Sequence, residues 1–149
     1  MNIEAEIKGH FRNEYHKGII NLNYTVKQIA YQFYKTLKKH ELTEQQYNVL
    51  RVLRGFRSES NISIGFVKER MLDKNSDVSR IVDKLVEREL LDRKECPIDR
   101  RQKDLKITDK GLTLLNEMFY CEKEVDNLLT NLSIEEVKQL NFLLDKIRG

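Results

Sequence analysis

The sequence predicts a mainly α-helical chain that carries one small β-hairpin. Three observations lead there. The 149 residues include a single proline and only six glycines, so helix breakers are scarce. Apolar residues recur at spacings of three and four through most of the chain, the period of a one-sided helix. One stretch departs from that period, where two short strand candidates, residues 90–95 and 104–107, flank a polar tip containing Pro97. The length fits about one domain able to bury a core.

The elements follow in order. A long first helix is expected over residues 7–40, where Ile19, Leu22, Val26, Ile29, Phe33 and Leu37 form one buried stripe. Ile20, Tyr24, Tyr31 and Tyr34 lie beside it, so the apolar surface wraps onto a second side and suits packing on another chain. Thr43-Glu44-Gln45-Gln46 is a capping-box pattern. The helix after it carries Tyr47, Val49, Leu50, Val52 and Leu53, and Gly55 with the polar residues 58–61 ends it. A short helix spans residues 63–72, with Ile64, Val67 and Met71 inward. Asp73-Lys74-Asn75 is a turn, and Asn75 or Ser76 is the expected N-cap of the next helix. That helix has Val78, Ile81, Val82, Leu85 and Val86 as its core face, leaving Ser76, Asp77, Ser79, Arg80, Asp83, Lys84 and Arg88 on exposed sides. After the hairpin, helices are expected over residues 108–129 and 133–148. Ser133-Ile134-Glu135-Glu136 is a second capping box, and Leu140, Phe142, Leu143, Leu144 and Ile147 make the last helix apolar around most of its girth. A terminal helix of that kind suits an oligomer surface.

Composition narrows the function classes. No apolar run approaches the roughly 18 residues of a membrane helix. The start, Met1-Asn2-Ile3-Glu4-Ala5-Glu6, lacks the apolar segment of a signal peptide, so a cytoplasmic location and no membrane partner are expected. Cys96 and Cys121 form no C-x-x-C pair. The formal net charge of +3 is small for this length. Its distribution is more telling: residues 93–110 hold seven basic and four acidic side chains, residues 111–149 four basic and seven acidic. A basic surplus confined to the hairpin is what a local phosphate footprint requires.

A helix with a short-polar start, followed by a basic hairpin, is the layout of a winged helix-turn-helix that reads DNA. Asn75, Ser76 and Ser79 sit at or near a helix N-terminus, where free N–H groups favour phosphate. Arg80 and Lys84 lie one turn apart on one face, and in a major groove Arg pairs bidentately with guanine. Asp77 can accept from a cytosine amino group or orient Arg80. At the hairpin tip, Arg100, Arg101 and Lys103 suit a narrow minor groove. Ser63, at the start of the preceding helix, completes the expected DNA-binding set. The bland alternative for this helix is an ordinary surface on which Arg80 and Lys84 pair with Asp77, Asp83 and Glu87.

The run Asp99-Arg100-Arg101-Gln102-Lys103-Asp104-Leu105-Lys106-Ile107-Thr108, with Lys110-Gly111 after it, resembles the signature of the multiple-antibiotic-resistance regulator (MarR) family. That signature is Asp, any residue, Arg, five residues, then Leu or Ile and Thr. Ser79-Arg80-Ile81-Val82-Asp83-Lys84-Leu85-Val86-Glu87-Arg88 resembles the family's recognition helix, and the likeness extends over nearly the whole chain. The resemblance implies a homodimer with double-stranded DNA as partner. It also implies one domain, with residues 1–40 and 112–149 as dimerisation helices and residues 43–110 as the winged helix-turn-helix lobe. It gives Asp99 the task of holding the wing arginines. One departure stands out: Glu89 occupies a position where the family often has glycine. A positive φ there would cost about 1–2 kcal/mol.

Regulation is less legible. Relatives of this kind respond to aromatic acids, oxidants or metals. The first helix has tyrosines but no cysteine, and Cys96 and Cys121 read as passive thiols. His10, His16 and His40 lack zinc-ligand spacing, so no metal and no cofactor are expected. Tyr31, Tyr34, Tyr47 and Arg51, with Phe33, are the candidates for a small aromatic effector: aromatic walls and one cation for a carboxylate. An enzyme finds no support, since no Gly-rich phosphate loop or nucleophile–base order is present. The leading expectation is a DNA-binding regulator, a repressor acting as a homodimer on a pseudo-palindrome. The alternative is a winged-helix adaptor that binds protein and makes no specific DNA contact.

Overall fold

The computed structural model describes residues 2–95 and 103–149, with the backbone alone at Tyr120, Cys121, Glu122 and Val125. The chain divides into two compact units, Met1–Phe33 with Glu124–Gly149, and Tyr34–Lys123. Helices dominate both, and one two-stranded antiparallel sheet belongs to the second.

The first unit begins with α1 (Ile3–Ile7), followed by α2 (Glu14–Lys39), which runs on into the second unit. The single helix expected over residues 7–40 is therefore two. Lys8 adopts φ 50, a left-handed conformation that stops α1. The chain starts again where the Asn13 side chain accepts from the His16 N–H at 2.9 Å. Buried Ile3, a Lys17–Glu4 ion pair and a Tyr24 hydroxyl donating to Glu6 at 2.9 Å hold α1 on α2. The expected stripe on α2 buries Leu37 but leaves Ile19 and Val26 more than half exposed. The single helix expected over residues 108–129 is also divided, into α6 (Asp109–Glu117), α7 (Phe119–Asp126) and a 3₁₀ turn at Asn127–Leu129. The break falls at Met118, a fully buried side chain, with no glycine or proline nearby to cause it. The last helix, α8 (Ile134–Arg148), starts at the expected capping box. Glu136 there accepts from the Ser133 N–H at 2.8 Å, which holds its carboxyl below the usual carboxylate range. No residue of α8 is buried.

The second unit is built around α3 (Glu44–Gly55), which packs against α4 (Ile64–Arg70), α5 (Val78–Glu87), β2 (Lys103–Ile107) and α6. Its capping box is formed, with the Gln46 N–H donating to Thr43 and the Thr43 N–H donating to the Gln46 side chain. Tyr47, Val49, Leu50, Val52 and Leu53 are all buried, as their spacing predicts, and meet Val67, Met71, Val82, Leu85 and Leu105 in one core. Each such side chain contributes about 1.5–3 kcal/mol when fully buried. Strand β1 (Leu91–Glu95) pairs antiparallel with β2, Leu91 opposite Ile107 and Glu95 opposite Lys103.

The exit from α5 sets how the hairpin leaves that helix. The Leu90 N–H donates to the Leu85 carbonyl and the Glu89 N–H to the Val86 carbonyl, a Schellman motif. Its left-handed position is Glu89, at φ 59. The family often has glycine here, and of the two shapes the sequence left open, the turn takes the positive φ with a glutamate side chain in place. Replacing Glu89 by glycine is expected to raise stability by about 0.5–1 kcal/mol. The ion pair it forfeits, to Lys110 at 3.4 Å, is exposed, and Lys110 keeps its bond to the Arg88 carbonyl. Thermal unfolding measures this directly; a lower Tm for Glu89→Gly would show that the Lys110 contact outweighs the backbone strain.

A candidate nucleic-acid interface

The interface is assembled from α4, the turn after it, α5 and the β1–β2 hairpin. Helix α4 begins at Ser63, whose hydroxyl accepts from the Phe66 N–H at 3.1 Å. Ser63, expected among the DNA contacts, thus has a capping task first. Arg70, at the end of α4, stacks over the Phe66 ring at 3.5 Å and donates to the Phe66 carbonyl at 3.0 Å. That stack fixes the helix just before the turn.

The start of α5 corrects the sequence reading. Its N-cap is Asp77, not Asn75 or Ser76, and the Asp77 carboxylate accepts from the Arg80 N–H at 3.2 Å. Asn75 is exposed in the turn, where its N–H donates to the Asp73 carboxylate at 2.9 Å. Ser76, expected on the exposed side, is 7% exposed. The chain turns inward there, the Val78 N–H bonding to the Ser76 carbonyl, so the Ser76 hydroxyl is buried with no partner among the described residues. Moving the cap by one residue changes which short polar side chains face outward. Asp77, Ser79, Arg80 and Lys84 remain on the exposed face.

The charges on that face are decisive. Sequence alone allowed Asp83 to neutralise Arg80 or Lys84. Asp83 instead takes Arg93 of β1 at 2.6 Å, tying the hairpin to α5. Neither Arg80 nor Lys84 forms an ion pair or side-chain hydrogen bond with a described residue. They line an open groove of about 320 Å³ with Thr43, Gln45, Gln46, Asp77 and Ile81. The result is a cationic helix face with its donors uncommitted, the arrangement that base edges and phosphates require.

The wing is the second part. Lys103, expected at the tip, lies instead within β2 and pairs with Glu95, its cross-strand partner, at 3.1 Å. Asp99, Arg100 and Arg101, like Cys96 and Pro97, lie outside the described residues. Two positions not singled out from sequence anchor the site. The Arg88 guanidinium donates to the Glu41 carbonyl at 2.8 Å, joining the end of α5 to the turn after α2. Asp104 accepts from the Ile62 N–H at 2.8 Å. Arg88 continues the four-residue spacing of Arg80 and Lys84, and Asp104 stands among basic residues, but no local pattern names the distant backbone groups they bind.

The effector candidates come from α2 and α3. Tyr31 lies in the first unit and is exposed; Tyr34, also exposed, Tyr47 and Arg51 lie in the second. Tyr47, expected to wall a pocket, is 6% exposed in the α3 core, because it shares the inward face of its helix with Leu50. No cluster of three or more metal-ligating side chains occurs among the described residues. No helix there is long and apolar enough to cross a membrane.

Helix, turn, recognition helix and hairpin in this order define a winged helix-turn-helix protein, a class that reads DNA. Residues 40–102 match the MarR family profile. A 114-residue stretch is 34% identical to MhqR, an HTH-type transcriptional regulator of Bacillus subtilis, covering 76% of this chain and 77% of that protein. The fold is shared with MepR of Staphylococcus aureus, solved in complex with DNA. That match has a TM-score of 0.75 at 20% identity over 93% of this chain and 97% of that one. BpsR of Bordetella bronchiseptica, whose DNA binding is regulated by 6-hydroxynicotinic acid, gives a TM-score of 0.72 at 24% identity, covering 86% and 96% of the two chains. The chain belongs to the MarR family of winged helix-turn-helix transcriptional regulators.

Proposed function

We propose that the protein is a sequence-specific DNA-binding regulator, without enzymatic activity, that acts in the cytoplasm as a homodimer on a pseudo-palindromic operator. The observation that carries this reading is the uncommitted pair Arg80 and Lys84 on the exposed face of α5. In each half-site α5 enters the major groove, with Asp77, Ser79, Arg80 and Lys84 toward the bases. Arg100 and Arg101 extend contact from the wing.

The homodimer rests on the first unit. Ile134, Phe142 and Ile147 of α8 are 75%, 64% and 67% exposed, and Ile19 and Val26 of α2 are more than half exposed. Apolar area of that extent on helices at both ends of the chain is what a second copy would cover. Two-fold symmetry then presents two recognition helices about 34 Å apart, one turn of DNA. Repression follows sterically, through occupancy of a promoter. A small aromatic effector releases the DNA by altering the spacing of the two lobes, a reading that BpsR and its aromatic acid support.

Selection of bound sequences from random duplex DNA, followed by affinity against salt, tests the proposal. The expected result is an enriched palindrome with half-sites about ten base pairs apart and a steep salt slope. Weak, sequence-blind binding would sink it in favour of a winged-helix adaptor.

A further inference from the structure

The segment before α4 is held to the wing by a side chain rather than by strand pairing alone. Asn61 stands at φ 63, turning the chain so that the Ile62 backbone runs beside β2. The Leu105 N–H donates to the Ile62 carbonyl at 2.9 Å, as in a sheet ladder. A full ladder pair would also give the Ile62 N–H a backbone acceptor on β2. The Asp104 carboxylate supplies it, at 2.8 Å. Its side chain is only 14% exposed, with Lys106 at 4.0 Å. The next residue after Ile62 is Ser63, the N-cap of α4.

We infer that Asp104 is a positioning residue for DNA binding, one that fixes the wing to the start of the helix-turn-helix. The geometry supports this over a generic surface role. A charged acceptor beside a half-buried N–H makes a stronger bond than a neutral one. It joins residues 42 apart in sequence, whereas the Arg93–Asp83 bond between β1 and α5 is a more exposed ion pair. Without the Asp104 bond the hairpin keeps the Leu105–Ile62 backbone bond and the Arg93–Asp83 ion pair, but its angle to the start of α4 is held less tightly. The phosphate contact proposed for Arg100 and Arg101 is then made in only part of the population. Base reading by Arg80 and Lys84 does not depend on this bond. The inference rests on the proposed wing contact with DNA, so the test separates the two.

The experiment measures affinity for the selected operator against salt for the full chain and three variants. Arg100→Ala with Arg101→Ala, the control for wing contact, is expected to make the salt slope shallower by about two. Asp104→Ala is expected to bind about tenfold more weakly, with a slope shallower by about one to two, and to select the same base sequence. Asp104→Asn keeps an acceptor at the same place and is expected to bind within about twofold of the parent. If the arginine control alters the slope and Asp104→Ala does not, the positioning assignment is overturned while wing contact stands. An Asn variant as impaired as the Ala variant overturns it as well. A control without effect overturns the wing contact itself. Independently of how the variants fold, amide exchange of the parent protein reads the bond: Ile62 is expected to be protected, and an Ile62 amide exchanging as freely as an open loop overturns the assignment.

Discussion

Alanine at position 111 is expected to lower the stability of the lobe by about 2–3 kcal/mol. A Cβ built on Gly111 stands 2.4 Å from the Leu90 carbonyl oxygen and 2.8 Å from the Ile107 side chain. The nearest obstacle is backbone, so no rotamer change relieves it. That backbone is also engaged, because the Leu90 carbonyl accepts from the Thr108 N–H at 3.1 Å. The Thr108 hydroxyl accepts from the Gly111 N–H and donates to the Glu89 carbonyl at 2.7 Å. Thr108 and Gly111 therefore act together: one caps α6, the other lets α6 approach the chain between α5 and β1. The intrinsic helix gain of alanine over glycine, about 1 kcal/mol, opposes the clash without cancelling it. A Tm lower by about 5–10 °C is expected. Gly18 provides the control, since a Cβ there meets no atom of this chain within 4 Å and Gly18→Ala is expected to leave Tm unchanged or raise it. An unaltered Tm for Gly111→Ala would show that α6 does not approach Leu90 this closely.

Combined replacement of Arg80 and Lys84 by alanine is expected to weaken operator binding by about 100-fold while leaving thermal stability unchanged. Each good contact from such a side chain to a base edge discriminates by about 1–3 kcal/mol. The stability half of the prediction follows from geometry. Asp83, which the sequence offered as a partner, is occupied by Arg93, so removing Arg80 and Lys84 breaks no ion pair among the described residues. Anisotropy titration on the operator with a parallel melt distinguishes the two effects. Operator affinity that survives the double replacement would remove α5 from the major groove. A fall in Tm matching the loss of affinity would make the pair structural.

The capping boxes at Thr43 and Ser133 and the core face of α3 lie where the residues place them, since each depends on neighbours three or four positions apart. The signature after the wing is also explained by local chemistry, as Thr108 caps α6. The boundaries were less legible. The stop at Lys8 stands directly before Gly9, a stop signal that the long apolar pattern masked, whereas the division at Met118 has no breaker beside it. The N-cap moved from Ser76 to Asp77 because burial drew Ser76 inward, and short polar residues in a row offer several caps of similar worth.

By itself, the sequence determined the helical class, the hairpin and the core of the second unit. All of these are set by periodicity and by contacts within a few residues. Only the tertiary structure decided which charges are left for DNA. Asp83 could have paired with its helix neighbours, and folding gave it to Arg93, ten residues away. Asp104 had no visible task until folding placed it beside the Ile62 amide, 42 residues away. Pairings at that separation depend on how elements pack, and the energy of one ion pair or hydrogen bond is too small to leave a pattern in the chain.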